Sequence, residues 1–158
     1  MALKIRILSP GKTKQHYLQE GIDDFLSRLS HYVSVEMVIV PAKIRKQNLP
    51  AEIILQKESE AFSKYLVRQN DLILLDAGGK LFSSEKFARF FEERMNSRIS
   101  AIDFLIGGEW GLSDDLKSRA DQMLSLSRMT FTHDLTRLIL LEQIYRAFTI
   151  LRGEPYHK

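Results

Sequence analysis

The sequence predicts an α/β fold with a mostly parallel sheet. Three observations predict it. Strand-like runs alternate with segments of helical spacing along the whole chain. The runs Leu72-Ile73-Leu74-Leu75 and 101–106 (AIDFLI) are almost wholly apolar, as strands covered on both faces are. Gly78-Gly79 and Gly107-Gly108 follow those runs, where an open α/β sheet keeps its ligand turns.

The elements follow in order. Leu3 to Leu8 alternates apolar with basic residues and reads as a strand, with no signal-peptide apolar core. Gly11-Lys12-Thr13-Lys14 breaks it. Leu18, Ile22, Phe25, Leu26 and Leu29 share one helix face. Residues 33–40 (VSVEMVIV) form a strand that Pro41 stops, and a basic loop with Lys43, Arg45 and Lys46 runs to Pro50. Helical spacing returns from Ala51 to Gln69. After Leu75, Asp76-Ala77-Gly78-Gly79 is expected to turn the chain. Ser83 or Ser84 then caps a helix with Phe87, Phe90, Phe91 and Met95 on its core face. Ser113 caps another, with Asp114 and Asp115 favoured by the helix dipole. Met123 to Ser127 is a last short strand, and Asp134 to Leu151 the final helix. That helix is apolar nearly all round, so one sheet covers only part of it. A second subunit is the expected cover.

The 158 residues suit a single domain, 1–158, with no repeat or linker. No apolar run approaches the roughly 18 residues of a membrane span. Cysteine is absent, which excludes disulfides and thiolate metal sites and suits the cytoplasm. His16, His31, His133 and His157 are too scattered for a metal centre, so no metal is expected. The net charge of +3 leans weakly toward a phosphate-rich partner. Arg128, Arg137, Arg146, Arg152 and Lys158 recur near the end, and a solvated surface is their plainer reading. No G-x-G-x-x-G follows the first strand, and neither a P-loop nor a G-x-S-x-G elbow is present.

Three segments belong at the carboxyl ends of strands: 75–79, 106–111 and 126–131. Their glycines let backbone approach a ligand, although a Gly-Gly after a strand is often only a turn. His133 heads the last helix as either a hydrogen-bonding residue or a substrate contact. The tail 152–158 (RGEPYHK) is either a frayed end or a base-stacking, phosphate-holding segment. Read alone, these residues name no reaction.

Several long stretches, in order, resemble the RlmH family. They are Leu75 to Lys80 followed by Ser83-Ser84-Glu85, then Phe104 to Gly108, then 124–131 (LSLSRMTF), then Leu140 to Phe148 running into the tail. The opening strand and turn from Ile5 to Lys12 fit as well. The resemblance implies a SPOUT-type α/β fold whose C-terminal segment threads a trefoil knot. It implies a homodimer that transfers a methyl group from S-adenosylmethionine to N3 of a pseudouridine in 23S ribosomal RNA. The substrate would be the assembled ribosome. Carried over by position, Leu75, Gly107, Leu126, Ser127, Arg128, Met129, Thr130 and Phe131 form the cofactor pocket. His133, Arg137, Tyr156 and His157 become the catalytic candidates, with one subunit's tail completing its partner's crevice. Arg137 and Arg152, with the basic loop, would hold phosphates. Thr132 stands where the family carries proline, and Glu109-Trp110 occupies a variable place. Three rivals stay open: a SPOUT methyltransferase acting on transfer RNA, a non-catalytic ribosome-binding protein of the same fold, and a nucleotide-binding protein.

Overall fold

The computed structural model describes residues 2–41 and 48–158, so Lys43, Arg45 and Lys46 lie outside the described residues. The elements run β1 (Lys4–Pro10), α1 (His16–Leu29), β2 (Ser34–Val40), α2 (Ala51–Ser63), β3 (Asp71–Leu81), α3 (Ser84–Met95), β4 (Ala101–Ile106), α4 (Asp114–Arg119), β5 (Gln122–Ser125) and α5 (His133–Leu151). The sheet order is β2-β1-β4-β3-β5, and every neighbouring pair is parallel.

Strand alternation divides the side chains between two cores. Ile5, Ile7, Ile73, Ile102, Phe104 and Ile106 face α1, α3 and α5. Leu8, Leu72, Leu74 and Leu105 face Phe62 of α2 and Leu116 of α4. Covering on both faces is why β3 opens, and β4 runs, as nearly unbroken apolar sequence. The first core is aromatic: Phe91 meets Phe87 edge-on at 4.7 Å between centroids and Phe148 at 5.2 Å. Burying each such ring contributes about 1.5–3 kcal/mol. Side-chain caps start three helices. Ser83, Ser113 and Thr132 accept from the amides of Lys86 (3.1 Å), Leu116 (3.3 Å) and Leu135 (3.2 Å).

Several boundaries differ from the sequence reading: the last strand ends at Ser125 rather than Ser127, which frees residues 126–127 for the loop, and two others change more. Asp76-Ala77-Gly78-Gly79 does not turn the chain. β3 continues to Leu81 and shifts register against β5 between Leu75 and Lys80. Gly79 allows this, because a Cβ there would meet the Met123 carbonyl at 2.8 Å. α2 ends at Ser63, short of Gln69. There the Arg6 guanidinium takes the Tyr65 carbonyl at 2.7 Å, a backbone acceptor that a longer helix would need.

No residue of α5 is exposed. α1 and α3 pack on it from either side, above the sheet. Its all-round apolar character is therefore met largely within the chain and does not by itself require a second subunit. Gly153, at φ +66°, ends the helix. Its amide bonds Ile150 O at 3.0 Å, and the Glu154 amide bonds Thr149 O at 2.9 Å. These paired bonds make a Schellman end, and they turn the tail back along α5.

Candidate active site

The middle of β3 and the carboxyl ends of β4 and β5 enclose a cleft of about 220 Å³. Leu75, Gly107, Leu126, Ser127, Met129, Thr130 and Phe131 line it, together with Asp76, Glu109 and His133. Residues 126–131 lie outside helix and strand, so no ladder occupies their backbone groups. Hydroxyls shape this loop: Ser127 Oγ accepts from the Met129 amide at 3.0 Å, and Ser125 Oγ donates to Ser127 O at 2.9 Å. Arg128 does not line the cleft. Its guanidinium donates to Ala77 O at 3.0 Å and ties the loop to the far half of β3. Gly107 is needed for turn closure rather than for ligand room, since a Cβ there would lie 2.5 Å from Gly111 O.

That turn spans Gly108 to Gly111, closed by the Gly111 amide on Gly108 O at 3.1 Å, with Gly111 at φ +82°. Glu109 and Trp110 form its tip. On its other side lies a larger cavity of about 770 Å³, between the ends of β1 and β2, α2 and the head of α5. Gly108, Glu109, Thr130, Phe131 and His133 line both spaces.

The catalytic candidates separate. His133 stands at the shared wall, its Nδ1 3.3 Å from Asp134 Oδ1 and 3.4 Å from the Arg137 guanidinium. Arg137 is fully buried. It donates to Pro10 O (2.9 Å), Gly11 O (2.9 Å) and Thr13 Oγ1 (3.1 Å), and pairs with Asp134 Oδ1 at 3.6 Å. Asp134 Oδ2 also accepts the Lys14 amide at 2.9 Å. A buried guanidinium demands such acceptors, so Arg137 clamps the β1–α1 connection and offers no charge to a phosphate.

Tyr156 and His157 stand elsewhere. Tyr156 donates to Glu142 Oε1 at 3.1 Å and meets Tyr145 edge-on at 4.8 Å. Its burial, then the Glu142 carboxylate, raises the phenol above its ordinary value. His157 lies 2.9 Å from Glu85 Oε1 and 3.2 Å from Arg146. Glu85 is held below the usual carboxylate range, first by its own backbone amide and then by His157. Glu142 is about 13 Å along α5 from His133 at ~1.5 Å per residue, so this tail does not enter its own chain's crevice. The other C-terminal arginines are also engaged. Arg146 pairs with Glu142, and Arg152 covers the Tyr32 ring at 4.5 Å.

Sequence reasoning missed Asp134, Lys14 and Glu58. Asp134 carried a signal: with Arg137 it forms an i,i+3 pair on a largely apolar helix, where charges have to be matched when buried. Glu58 and Lys14 carried none, because their place depends on how α2 and the β1–α1 connection close the larger cavity. Among the described residues no group of three or more His, Cys, Asp or Glu is placed to hold a metal ion, and no helix is long and apolar enough to cross a membrane.

Gly107, Gly108 and Gly111 beside the irregular loop 126–131 make a ligand-sized cleft on an all-parallel α/β sheet, and the chain's relatives supply its class. A family model described as "Predicted SPOUT methyltransferase" matches residues 3–157, and the chain belongs to that family. Whole-length relatives narrow the assignment to one branch. The chain is similar to proteins named "Ribosomal RNA large subunit methyltransferase H". One, from Carboxydothermus hydrogenoformans, is 46% identical over 99% of this chain and 100% of the relative. Another, from Christiangramia forsetii, is 40% identical over 98% and 99%. A solved probable methylase family protein from Haemophilus influenzae Rd KW20 shares the fold, with TM-score 0.53 and 12% identity. The match covers 99% of this chain and 70% of that one. The chain is thus a methyltransferase, as the resemblance implied.

Proposed function

We propose that the chain, as one domain, transfers a methyl group from S-adenosylmethionine to N3 of a pseudouridine in 23S ribosomal RNA. The assembled ribosome is the substrate, and the reaction takes place in the cytoplasm. The observation that carries the reading is the lining of the small cleft. Seven of the residues implied by the family resemblance converge there, from the middle of β3 and the segments that follow β4 and β5. Leu75, Ile106, Leu126 and Met129 offer apolar faces to an adenine, and the backbone of 126–131 offers hydrogen bonds to its edge. Asp76 and Glu109 are the charged lining residues, with no lysine or arginine among them, which suits a cationic sulfonium.

The bound cofactor supplies an activated methyl group. The protein supplies position, holding the acceptor nitrogen in line with that methyl. The N3 electron pair forms the new N–C bond as the C–S bond breaks and its electrons pass to sulfur. The N3 proton passes to water or a base, and His133 at the shared wall is the side chain placed to receive it or to steady the developing charge. Arg137 acts as a positioning residue.

A homodimer belongs to the same proposal. Tyr156 and His157 lie away from their own crevice, so they serve catalysis by completing the partner's. A trefoil knot belongs to it too. Gly79 lets the far half of β3 lie against the Met123–Leu124 backbone, and α5 then returns between α1 and α3.

The test is incubation of the protein and radiolabelled S-adenosylmethionine with ribosomes from a strain lacking this gene. Label on a large-subunit pseudouridine is expected. Cofactor binding without ribosomal label, together with label on transfer RNA, would overturn the substrate assignment.

A further inference from the structure

The proposed reaction needs a place for the acceptor base within reach of the methyl group, beyond the small cleft assigned to the cofactor. The larger cavity, about 770 Å³, shares Gly108, Glu109, Thr130, Phe131 and His133 with it. The two spaces therefore adjoin, and ligands held in them meet along this common border.

Its chemistry differs from that of the cleft. Trp110 and Phe131 line it and are solvent-accessible, at 52% and 37% exposure. The Gly108–Gly111 turn fixes the backbone on both sides of Trp110, so the indole is presented rather than tethered loosely. Lys14 supplies a cation at the rim, and its backbone is fastened to Asp134. Glu58 supplies a carboxylate beside Gly108, where a Cβ would fall 2.5 Å from its Oε2. A planar surface, a cation and a hydrogen-bond acceptor are the groups that read an unstacked nucleotide: base face, phosphate and N–H edge.

We infer that the larger cavity receives the acceptor nucleotide flipped out of its RNA, with Trp110 as the platform on which the base stacks. This rests on the methyl-transfer reading above and names the residue that seats its acceptor. Trp110 then contributes to RNA engagement and not to cofactor affinity. The Arg137 clamp acquires a purpose as well, because Pro10 and Lys14, which it helps fix, form a wall of this cavity.

The test compares wild type, Trp110→Ala and Trp110→Phe in three measurements: thermal melting, S-adenosylmethionine affinity, and kcat/KM on ribosomes lacking the modification. Melting and cofactor affinity stay within about twofold of wild type, since the indole is half exposed. Stacking of a base on an aromatic side chain predicts a loss in kcat/KM of about tenfold or more for Trp110→Ala. Trp110→Phe keeps a flat ring and recovers most of it. Equal kcat/KM for wild type and Trp110→Ala overturns the inference while leaving the methyl-transfer reading intact. A loss confined to cofactor affinity overturns it too, by assigning Trp110 to the donor cleft. A wild-type enzyme inactive on ribosomes removes the reading beneath it instead.

Discussion

The two ends of α5 both carry an arginine in a cluster of polar partners, yet they do opposite work. At the head, Arg137 is fully buried and held by two backbone carbonyls, Thr13 and Asp134. Toward the other end, Arg146 keeps a quarter of its side chain in solvent and pairs with Glu142, while its guanidinium lies over the Tyr156 ring at 4.9 Å. The head cluster fixes a wall beside the crevice. The tail cluster holds the C-terminal segment against α5 through partly solvated contacts. Residue type does not separate these roles; burial and the kind of acceptor do.

The sharpest way to break the contrast is to remove each arginine. Arg137→Ala leaves the Asp134 charge and two carbonyls buried without their donor and costs about 3–5 kcal/mol in urea unfolding. Arg146→Ala costs under about 1 kcal/mol, because solvent replaces the lost partner. Equal losses would abolish the distinction. Removing residues 152–158 tests the tail itself. Methyl transfer to ribosomes falls about a hundredfold, or ~2.7 kcal/mol of transition-state stabilisation, while S-adenosylmethionine affinity measured by calorimetry stays within about twofold.

Leu126→Ala tests the head from the cofactor side. Losing part of an apolar wall weakens S-adenosylmethionine about tenfold by the same calorimetry, with stability little changed. The smallest effect is at the tail anchor. A hydrogen bond to Glu154 pushes the Tyr32 phenol up from 10.0 to about 12, with burial adding to it. The folded state holds that proton more tightly than the unfolded chain. The resulting stability is complete below pH 10 and is lost as pH rises from 10 to 12. Tyr32→Phe flattens the fall in that window relative to wild type, as read by urea unfolding at successive pH values.

Much of the fold was legible because strand burial writes itself into sequence. Leu72 to Leu75 and 101–106 could be little else than strands covered on both faces, and Ser83 and Ser113 are caps as read. The far half of β3 was hidden. Gly78-Gly79 looks the same whether it turns a chain or lets another backbone close in, and only the nearness of Met123 decides. The small cleft was legible through long motifs, down to seven of eight residues; Arg128 is missing from its lining because its guanidinium found a carbonyl outside. Arg137 read as a phosphate contact because sequence carries charge but not burial, whereas Arg152 is exposed. The larger cavity was illegible for a similar reason. Its walls come from Pro10, Val40, Phe62 and Trp110, which only the closed fold brings together.

The inner position of β4 has a consequence for synthesis of the chain. β1 sits between β2 and β4, and its contacts with β4 join residues as far as 97 positions apart, as Arg6 and Asp103 are. At about 5–20 residues per second, β1 waits roughly 5–20 s after emerging before its inner neighbour exists. Until then the nascent chain carries an unpaired strand edge rich in isoleucine and leucine, with α5 and its core face still to come. Crowding by other nascent chains during that interval, rather than weakness of the finished fold, is where misassembly of this protein would begin.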